Sequence, residues 1–108
     1  MNKTKIWEIL VPTISNNKPF RTRHHKEWDS RVRKISGGLT VFKPAKGSWV
    51  SPTNQLFVER MIPVRIACTQ KQIDKIADIT AKHYNQEAIF YYLISDKIVM
   101  FYYNLIAN

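Results

Sequence analysis

Cationic and aromatic side chains are concentrated between Arg21 and Trp49. Eight of the seventeen Lys and Arg residues lie in this stretch, together with His24, His25 and two of the three tryptophans. Guanidinium and ammonium groups pair with phosphate or carboxylate, and aromatic rings stack on flat groups and on cations. A ligand that suits this mixture is both anionic and flat. The sequence therefore predicts a site for a small anionic ligand, of the nucleotide or adenosine type.

The expected ligand-binding residues have two roles. Basic groups from the first helix and from the loop after it would meet phosphate or carboxylate, and Trp49 would stack on a base. Gly47 lets the backbone turn or approach a ligand closely. Two alternatives stay open: Trp49 could cap the core, and His24 could be an ordinary, partly exposed helix histidine. The expected ligand-binding residues are Arg21, Arg23, His24, Lys43, Lys46, Trp49, Arg60 and Arg65.

The positive charge is unevenly distributed along the chain. Residues 1–47 carry eleven Lys or Arg and three Asp or Glu, a net charge of +8, whereas residues 48–108 carry six and five, a net charge of +1. Such asymmetry indicates an anionic partner, although a solvated helix face is the simpler alternative. A further interpretation is DNA or RNA binding through a helix over residues 21–35, with an affinity that falls steeply with salt.

Catalytic motifs are sparse. The phosphate-binding pattern G-x-x-x-x-G-K-[ST] is absent, and no arrangement of a nucleophile beside a base stands out. Glu8 and Glu59 lie in predicted strands, where burial beside an arginine would keep a glutamate ionised, so a structural ion pair is favoured over catalysis for both. We therefore expect binding without turnover. If the protein is an enzyme, Glu59 or His24 is the candidate base.

No metal ion and no other cofactor is expected. Two metal ligands on one helix face need a spacing of four residues, whereas His24 and His25 are adjacent. The single cysteine, Cys68, excludes an internal disulfide. Its position at the end of an apolar run predicts burial rather than reactivity.

The length and hydropathy indicate one domain over residues 1–108. No apolar run approaches the roughly 18 to 20 residues that a membrane span needs. The N-terminal residues lack the long apolar stretch and small-residue cleavage site of a signal peptide. We therefore expect a cytoplasmic protein without a membrane partner.

Hydrophobic periodicity and capping signals predict the secondary structure. Thr22 is the candidate N-cap of the first helix, and Gly37-Gly38 supplies its stop. Thr69 and Gln72 have the spacing of a capping box at the start of the second helix. The predicted elements are strands at 6–11, 39–42, a strand-rich run at 56–68, and strands at 88–94 and 98–103, with helices at 22–36 and from 69 to about 85.

Two segments of this pattern are irregular. Residues 43–54, with two prolines and one glycine, are predicted to form a long connection rather than a strand. Pro63 interrupts the run at 56–68 and has no N–H for a ladder hydrogen bond, so we expect it at an edge strand or at a bulge.

The order of elements is β-α-β-β-α-β with an extra C-terminal strand. This order predicts an α+β, ferredoxin-like sandwich, an antiparallel sheet with two helices on one face and the first and third strands at its centre. The last predicted hairpin is apolar on both sides, and such a sheet edge needs a cover on its second face. Another copy of the chain is the economical cover, so we expect a homo-oligomer, a trimer or a dimer.

Short motifs add two resemblances. Gly37-Gly38-Leu39-Thr40 followed by Gly47-Ser48-Trp49 resembles a G-G-x-T…G-x-W pattern of an uncharacterised family of small bacterial and phage proteins, and it implies no activity. A second resemblance, to the bacteriophage S-adenosylmethionine lyases, covers most of the chain. The segments that look like theirs are Arg23-His24, residues 64–68 (Val-Arg-Ile-Ala-Cys), the helix from Thr69 and the aromatic strand at 88–93.

The lyases are trimeric, ferredoxin-like and similar in shape to the PII and CutA proteins. The resemblance implies a ligand held between subunits and a reaction served by a glutamate after the second strand. In this chain the first acid after Gly47 is Glu59. The combined expectation is a non-enzymatic oligomeric binding module, with phage counter-defence by sequestering a nucleotide or methyl donor as its role. The alternatives are an enzyme that degrades S-adenosylmethionine or a nucleotide, and a nucleic-acid-binding protein.

Overall fold

The computed structural model describes residues 3–104. Its elements are β1 (Lys5–Pro12), β2 (Ile14–Ser15), β3 (Lys18–Pro19), α1 (Thr22–Ser36), β4 (Thr40–Val41), β5 (Ala45–Val50), β6 (Leu56–Cys68), α2 (Gln70–His83) and β7 (Tyr91–Ser95). The main sheet is antiparallel, in the order β4-β6-β1-β7, and β5 also pairs with β6. The predicted α+β, ferredoxin-like arrangement with β1 and β6 at its centre is confirmed.

The core lies between the two helices and one face of the sheet. Alternate residues of β1 and β6 point to this face because side chains along a strand alternate between the two sides. Both helices bury an apolar stripe against it, as their periodicity predicts. Within residues 3–104, neither helix is long and apolar enough to cross a lipid bilayer. The buried residues on the core side are Trp7, Ile9 and Val11 of β1, Val64, Ile66 and Cys68 of β6, Trp28 and Val32 of α1, and Ile73, Ile76 and Thr80 of α2, with Tyr84 directly after it.

The helix ends follow the sequence signals with one correction. Thr69 and Gln72 form the predicted capping box at the start of α2. Gly37 adopts φ +88°, the left-handed conformation that ends α1. The N-cap of α1 is Arg21, not Thr22, and its side chain makes no capping hydrogen bond. The prediction was wrong because Thr22 already has helical geometry as the first residue of α1.

The predicted long connection at 43–54 contains the strand β5. Ala45 to Val50 pair in continuous register with Met61 to Leu56, so β5 and the first half of β6 form a two-stranded ribbon. Because β1 ends with Pro12 opposite Met61, residues 56–60 pair with β5 alone. Every residue of β5 is exposed. Ala45, Lys46 and Gly47 are residue types depleted in strands, so the first half of β5 depends on pairing with β6 rather than on local propensity.

Pro63 lies in a central strand, so the prediction of an edge position or a bulge was wrong. It pairs with Leu10 of β1 without a register shift. Its carbonyl accepts a hydrogen bond from the Phe42 N–H at 2.9 Å, on the side away from β1. The N and the C=O of one strand residue point to the same side of the strand. The side of Pro63 that lacks an N–H therefore faces the break between β4 and β5, where the hydrogen-bond ladder is already interrupted.

The extra C-terminal strand predicted at 98–103 is not formed in the single chain. Hydrogen bonds between Ser95 Oγ and Lys97 make the predicted turn, and β7 spans Tyr91–Ser95 rather than 88–94. The residues after the turn belong to no strand of the described chain. Val99 is 78% exposed and Phe101 81%. An apolar segment of this kind lacks its cover within one subunit.

Replacing Thr80 with valine should destabilise the fold. The Trp28 indole N–H donates to Thr80 Oγ1 at 2.9 Å, and both side chains are buried. Valine has a similar shape but no acceptor. A buried N–H without a partner costs about 1–3 kcal/mol, and we expect that decrease in the free energy of unfolding measured in urea.

Thr22→Val is the matched control because Thr22 is exposed. Its free energy of unfolding should change by less than about 0.5 kcal/mol. Equal stability of Thr80→Val and the unchanged protein would contradict the assigned hydrogen bond.

Candidate functional site

The structure distributes the expected ligand-binding residues over three regions. Arg21, Arg23 and His24 lie together at the start of α1, in a group we call the helix-start cluster. Lys46, Trp49 and Arg60 lie on the β5–β6 ribbon. Arg65 lies on the sheet face opposite the helices, which we call the open face. Lys43 lies in the break between β4 and β5 and is exposed.

The helix-start cluster borders a shallow cavity of about 330 Å³ that is also lined by Phe20 and Glu27. The first turn of α1 carries no acid, so its positive end adds to the charge of the arginines. Glu27 accepts a hydrogen bond from Arg23 Nε at 3.2 Å, and both side chains are largely exposed. One of the two arginines is therefore already paired, and the cavity combines weak attraction for anions with a competing carboxylate.

His24 forms a reciprocal contact with His83 of α2. The two rings are stacked with centroids 4.0 Å apart. His24 Nε2 contacts the His83 carbonyl oxygen at 2.7 Å, and His83 Nε2 contacts the His24 carbonyl oxygen at 2.8 Å. Because a carbonyl only accepts, both Nε2 atoms act as donors, which fixes the tautomer of each imidazole. The pair joins the start of α1 to the end of α2, and this structural use of His24 differs from the role predicted for it.

His24, Glu27 and His83 also form the one group of potential metal ligands in residues 3–104, with ligand atoms within 4.8 Å of one another. Their chemistry does not favour a cation. In both imidazoles one nitrogen donates a hydrogen bond to a backbone carbonyl. Arg31 lies 3.4 Å from the other nitrogen of His83, and Arg23 forms an ion pair with Glu27. The expectation that the chain holds no metal stays a prediction, and the arginines support it.

His25 faces the interior beside the same cluster. Its Nδ1 lies 2.7 Å from the hydroxyl of Tyr84, which is fully buried. Burial lowers the pKa of His25, and the charge of His24 lowers it further, against the opposing effect of Asp29. Burial also raises the pKa of the Tyr84 hydroxyl. A neutral imidazole that accepts a hydrogen bond from a neutral phenol is the stable arrangement.

The ribbon carries cations on one side and aromatic rings on the other. Lys46 lies opposite Arg60 in the ladder. Trp49 stacks on Phe57 with ring centroids 4.5 Å apart and remains 50% exposed. The alternative that Trp49 caps the core is therefore wrong.

Glu59 is exposed on the ribbon opposite Gly47 and makes no ion pair within the described residues. The predicted ion pair for it is wrong, because its neighbour Arg60 points to the opposite side of the strand. Glu59 is also exposed rather than buried as expected, because this part of β6 pairs with β5 alone and lies beyond the sheet that the helices cover.

The open face holds a polar cluster that spans three strands. Glu8 of β1 lies opposite Arg65 of β6 and opposite Tyr92 of β7. Arg65 Nε donates to Glu8 Oε1 at 3.0 Å, and the Tyr92 hydroxyl donates to Glu8 Oε2. The guanidinium carbon of Arg65 also lies 5.0 Å from the centroid of the Phe42 ring. The ion pair predicted for Glu8 is thereby confirmed, with Arg65 as its partner.

A cavity of about 520 Å³ adjoins this cluster. Among the described residues, Arg65 contributes the only charge to its lining, and the Arg65 side chain is 46% exposed. The remaining walls are apolar groups of the sheet and residues at or after the end of α1. They are Ile6, Ser36, Gly38, Leu39, Thr40, Phe42, Ile66, Ala67 and Ile94. A mostly apolar concavity with one fixed cation is suited to a small ligand with one anionic group.

Comparison with known proteins finds relatives in structure and none in sequence. No family model and no curated protein matches the chain. CutA1 from Oryza sativa is similar over 90% of this chain and 83% of its own, with a TM-score of 0.67 and 7% identity. The divalent cation tolerance protein Cut A1 from Thermus thermophilus is similar over 84% and 82%, with a TM-score of 0.64 and 5% identity.

A phage SAM lyase, solved in complex with S-methyl-5'-thioadenosine, is similar over 99% of this chain and 92% of its own. The TM-score is 0.65 and the identity is 15%. At identities this low the likeness is one of fold. The resemblance to the phage lyases and to CutA proteins is therefore confirmed for the architecture, whereas activity and ligand do not follow from it.

Sequence reasoning missed two members of these clusters. Tyr92 lies in a strand with apolar residues on both sides, and its hydroxyl contact with Glu8 depends on register across three strands. His83 lies 59 residues from His24, so no local sequence signal connects the two. The one available signal was that Glu8 and Tyr92 are polar groups within largely apolar strands, where a buried polar group needs a partner.

The stability of the protein should fall as the pH drops below about 6.5, the ordinary pKa of histidine. Since the folded protein holds the pKa of His25 lower, the unfolded chain binds the proton more readily. The stabilisation is therefore complete above pH 6.5 and is lost as the pH falls to the lowered pKa.

Thermal melts from about pH 7.5 to about pH 5 measure this effect. His25→Gln keeps a polar partner for Tyr84 without titrating, so its Tm should decline less than that of the unchanged protein. Identical declines in the two proteins would show that His25 is not the responsible group.

Proposed function

We propose that this chain is a homo-oligomeric binding module that holds a small anionic, adenosine-type ligand in clefts between subunits. The observation that carries the proposal is a ribbon with exposed apolar groups that extends from the sheet whose open face holds a fixed cation. By strand alternation, Val50, Leu56 and Val58 continue the helix side of the sheet and are 59%, 62% and 54% exposed, whereas Trp49 lies on the open-face side and is 50% exposed. A site of this kind is incomplete until another surface covers it.

The ribbon favours an oligomer because its two strands need a surface to pack against. A two-stranded ribbon in water is marginal unless it packs against something else. Both sides of this ribbon carry exposed apolar groups, and the exposed segment 99–103 adds more. Monomeric proteins rarely present such contiguous apolar surface. A second copy of the chain is the partner that is always available, and a trimer or a dimer would satisfy the requirement.

Charge and fold support the choice of ligand. Arg65 lies in a cleft with mostly apolar walls, and Lys46 and Arg60 on one side of the ribbon, with Lys43 before it, add further positive charge. A phage protein of similar fold was solved with a nucleoside thioether bound. The expected ligand-binding residues, including Arg21, Arg23, His24 and Trp49, remain part of this proposal.

Binding without turnover is the mode we propose. Glu59 is exposed with no partner side chain within residues 3–104, and His24 is engaged with the His83 backbone. In a phage-infected cytoplasm, a protein of this kind would act by sequestering a nucleotide or methyl donor, which is a means of counter-defence.

A second candidate is an enzyme that degrades S-adenosylmethionine. The observation that favours it is the likeness to the phage SAM lyase over nearly the whole of both chains. In this case Glu59 or His24 would be the base, and contacts with another subunit would have to bring either of them to the ligand.

Val58→Glu should dissociate the oligomer. A carboxylate buried in an apolar interface is strongly destabilising, because burial disfavours its charged form. We expect native mass spectrometry and light scattering to show an assembly for the unchanged protein and a shift to monomer for the variant.

Ile14→Glu is the matched control for this experiment. Ile14 is 51% exposed, close to the value for Val58, but it lies on β2, which pairs with β3 and not with the ribbon. The control should assemble normally. A monomeric unchanged protein, or equal dissociation of both variants, would contradict an interface built on the ribbon.

Incubation with S-adenosylmethionine followed by mass spectrometry distinguishes binding from turnover. We expect the compound to be retained by the protein and to remain intact. Accumulation of S-methyl-5'-thioadenosine beyond the amount of protein would establish the enzyme instead.

A single-stranded oligonucleotide tests the nucleic-acid alternative through the exposed cations of α1. An affinity that declines steeply with salt would support that alternative, because each neutralised phosphate releases a counterion.

A further inference from the structure

We propose that Arg65 is the anion anchor of the cleft on the open face, and that the group it takes is the phosphate or carboxylate of an adenosine compound. This inference rests on the proposed binding function and names its site. It selects one of the three regions that hold the expected ligand-binding residues, in preference to the helix-start cluster and the ribbon.

Arg65 is held in place on two sides. Glu8 accepts from Arg65 Nε at 3.0 Å, and the Glu8 side chain is 11% exposed. Phe42 lies against the guanidinium, with 5.0 Å between Cζ and the ring centroid. A cation that is already oriented loses less freedom when a ligand binds, which improves affinity. Glu8 is therefore a positioning residue, and Tyr92 fixes Glu8 in turn.

The outer edge of the guanidinium remains available. Within residues 3–104, the Nε bond to Glu8 is the one hydrogen bond that the Arg65 side chain makes. The terminal N–H groups can therefore meet a phosphate or carboxylate with two parallel hydrogen bonds. The Thr40 hydroxyl lines the same cavity and is able to add a third contact.

The remaining lining matches the rest of an adenosine compound. Ile6, Phe42 and Ile94 present apolar surface to the cavity of about 520 Å³, and this volume lies within the range of small-molecule sites. A flat, weakly polar base placed there would leave its anionic substituent for Arg65. The helix-start cavity offers less, because Glu27 within it pairs with Arg23 and repels anions.

Three adenosine compounds that differ in one substituent test the inference. AMP carries a phosphate, S-adenosylhomocysteine a carboxylate, and S-methyl-5'-thioadenosine neither. Affinities are measured by calorimetry with the full-length protein in its native oligomeric state. The unchanged protein should bind AMP or S-adenosylhomocysteine more tightly than S-methyl-5'-thioadenosine, and whichever is tighter identifies the anionic group.

The Arg65→Met variant should lose that preference. We expect affinity for the preferred anionic compound to fall by about 10- to 100-fold, as for loss of charge-assisted hydrogen bonds. Affinity for S-methyl-5'-thioadenosine should change by less than about threefold. Arg65→Lys should recover only part of the loss, because an ammonium cannot bond Glu8 and two ligand oxygens in one plane.

Three further variants keep the test decisive. Arg65→Met leaves Glu8 buried without its ion-pair partner, so the double variant Glu8→Gln with Arg65→Met serves if the single variant does not fold. Arg23→Met tests the competing helix-start cluster, and Arg33→Met, at an exposed arginine of α1 outside the expected ligand-binding residues, is the matched control. The control should leave all three affinities within about twofold of the unchanged protein.

The possible results separate the inference from the proposed function. If the anionic compounds keep their affinity without Arg65 but lose it in Arg23→Met, the anchor lies at the helix start. The inference is then overturned and the binding function stands. If the unchanged protein binds none of the three compounds, both the adenosine-type function and the anchor are overturned.

Discussion

The antiparallel pairing of β1 with β6 places Trp7 opposite Ile66 on the helix side and Glu8 opposite Arg65 on the open side. The eight pairs of this ladder run without a shift from Lys5 to Pro12. A slip of one residue would exchange the two faces, moving Glu8 into the core and Trp7 away from it. The apolar core and the polar cluster are therefore two consequences of one register. This coupling gives the candidate site a rigid base.

One face of the sheet is covered by other elements of the chain, and the other face is not. Both helices cover the core face, whereas no described element covers the open face or either side of the ribbon. The charged cluster resolves part of this imbalance, because Glu8 is satisfied by Arg65 and Tyr92. The apolar groups of the ribbon remain exposed. An assembly of several copies would bury them and at the same time enclose the cleft beside Arg65.

The structural relatives show how little the fold itself specifies. Proteins named for divalent cation tolerance and a phage SAM lyase share this architecture at 5–15% identity. The chemistry of each must therefore lie in the side chains that line its own clefts. In this chain the cleft on the open face is lined by apolar and small polar groups around one guanidinium, that of Arg65, and the cluster at the helix start contains further arginines. This combination favours anion binding, and it disfavours a cation at His24, Glu27 and His83.

The amino-acid sequence by itself determined both helices, the central strands and the order of elements, because periodicity and capping are local signals that packing reinforced. It also indicated that Glu8 would pair with an arginine. It did not reveal β5, the Pro63 position or the contacts of Tyr92 and His83. Each of these depends on a partner strand or helix far away in the chain. Tertiary structure alone decided which of the expected ligand-binding residues lie close together, because burial and strand register, rather than residue type, set the distances between them.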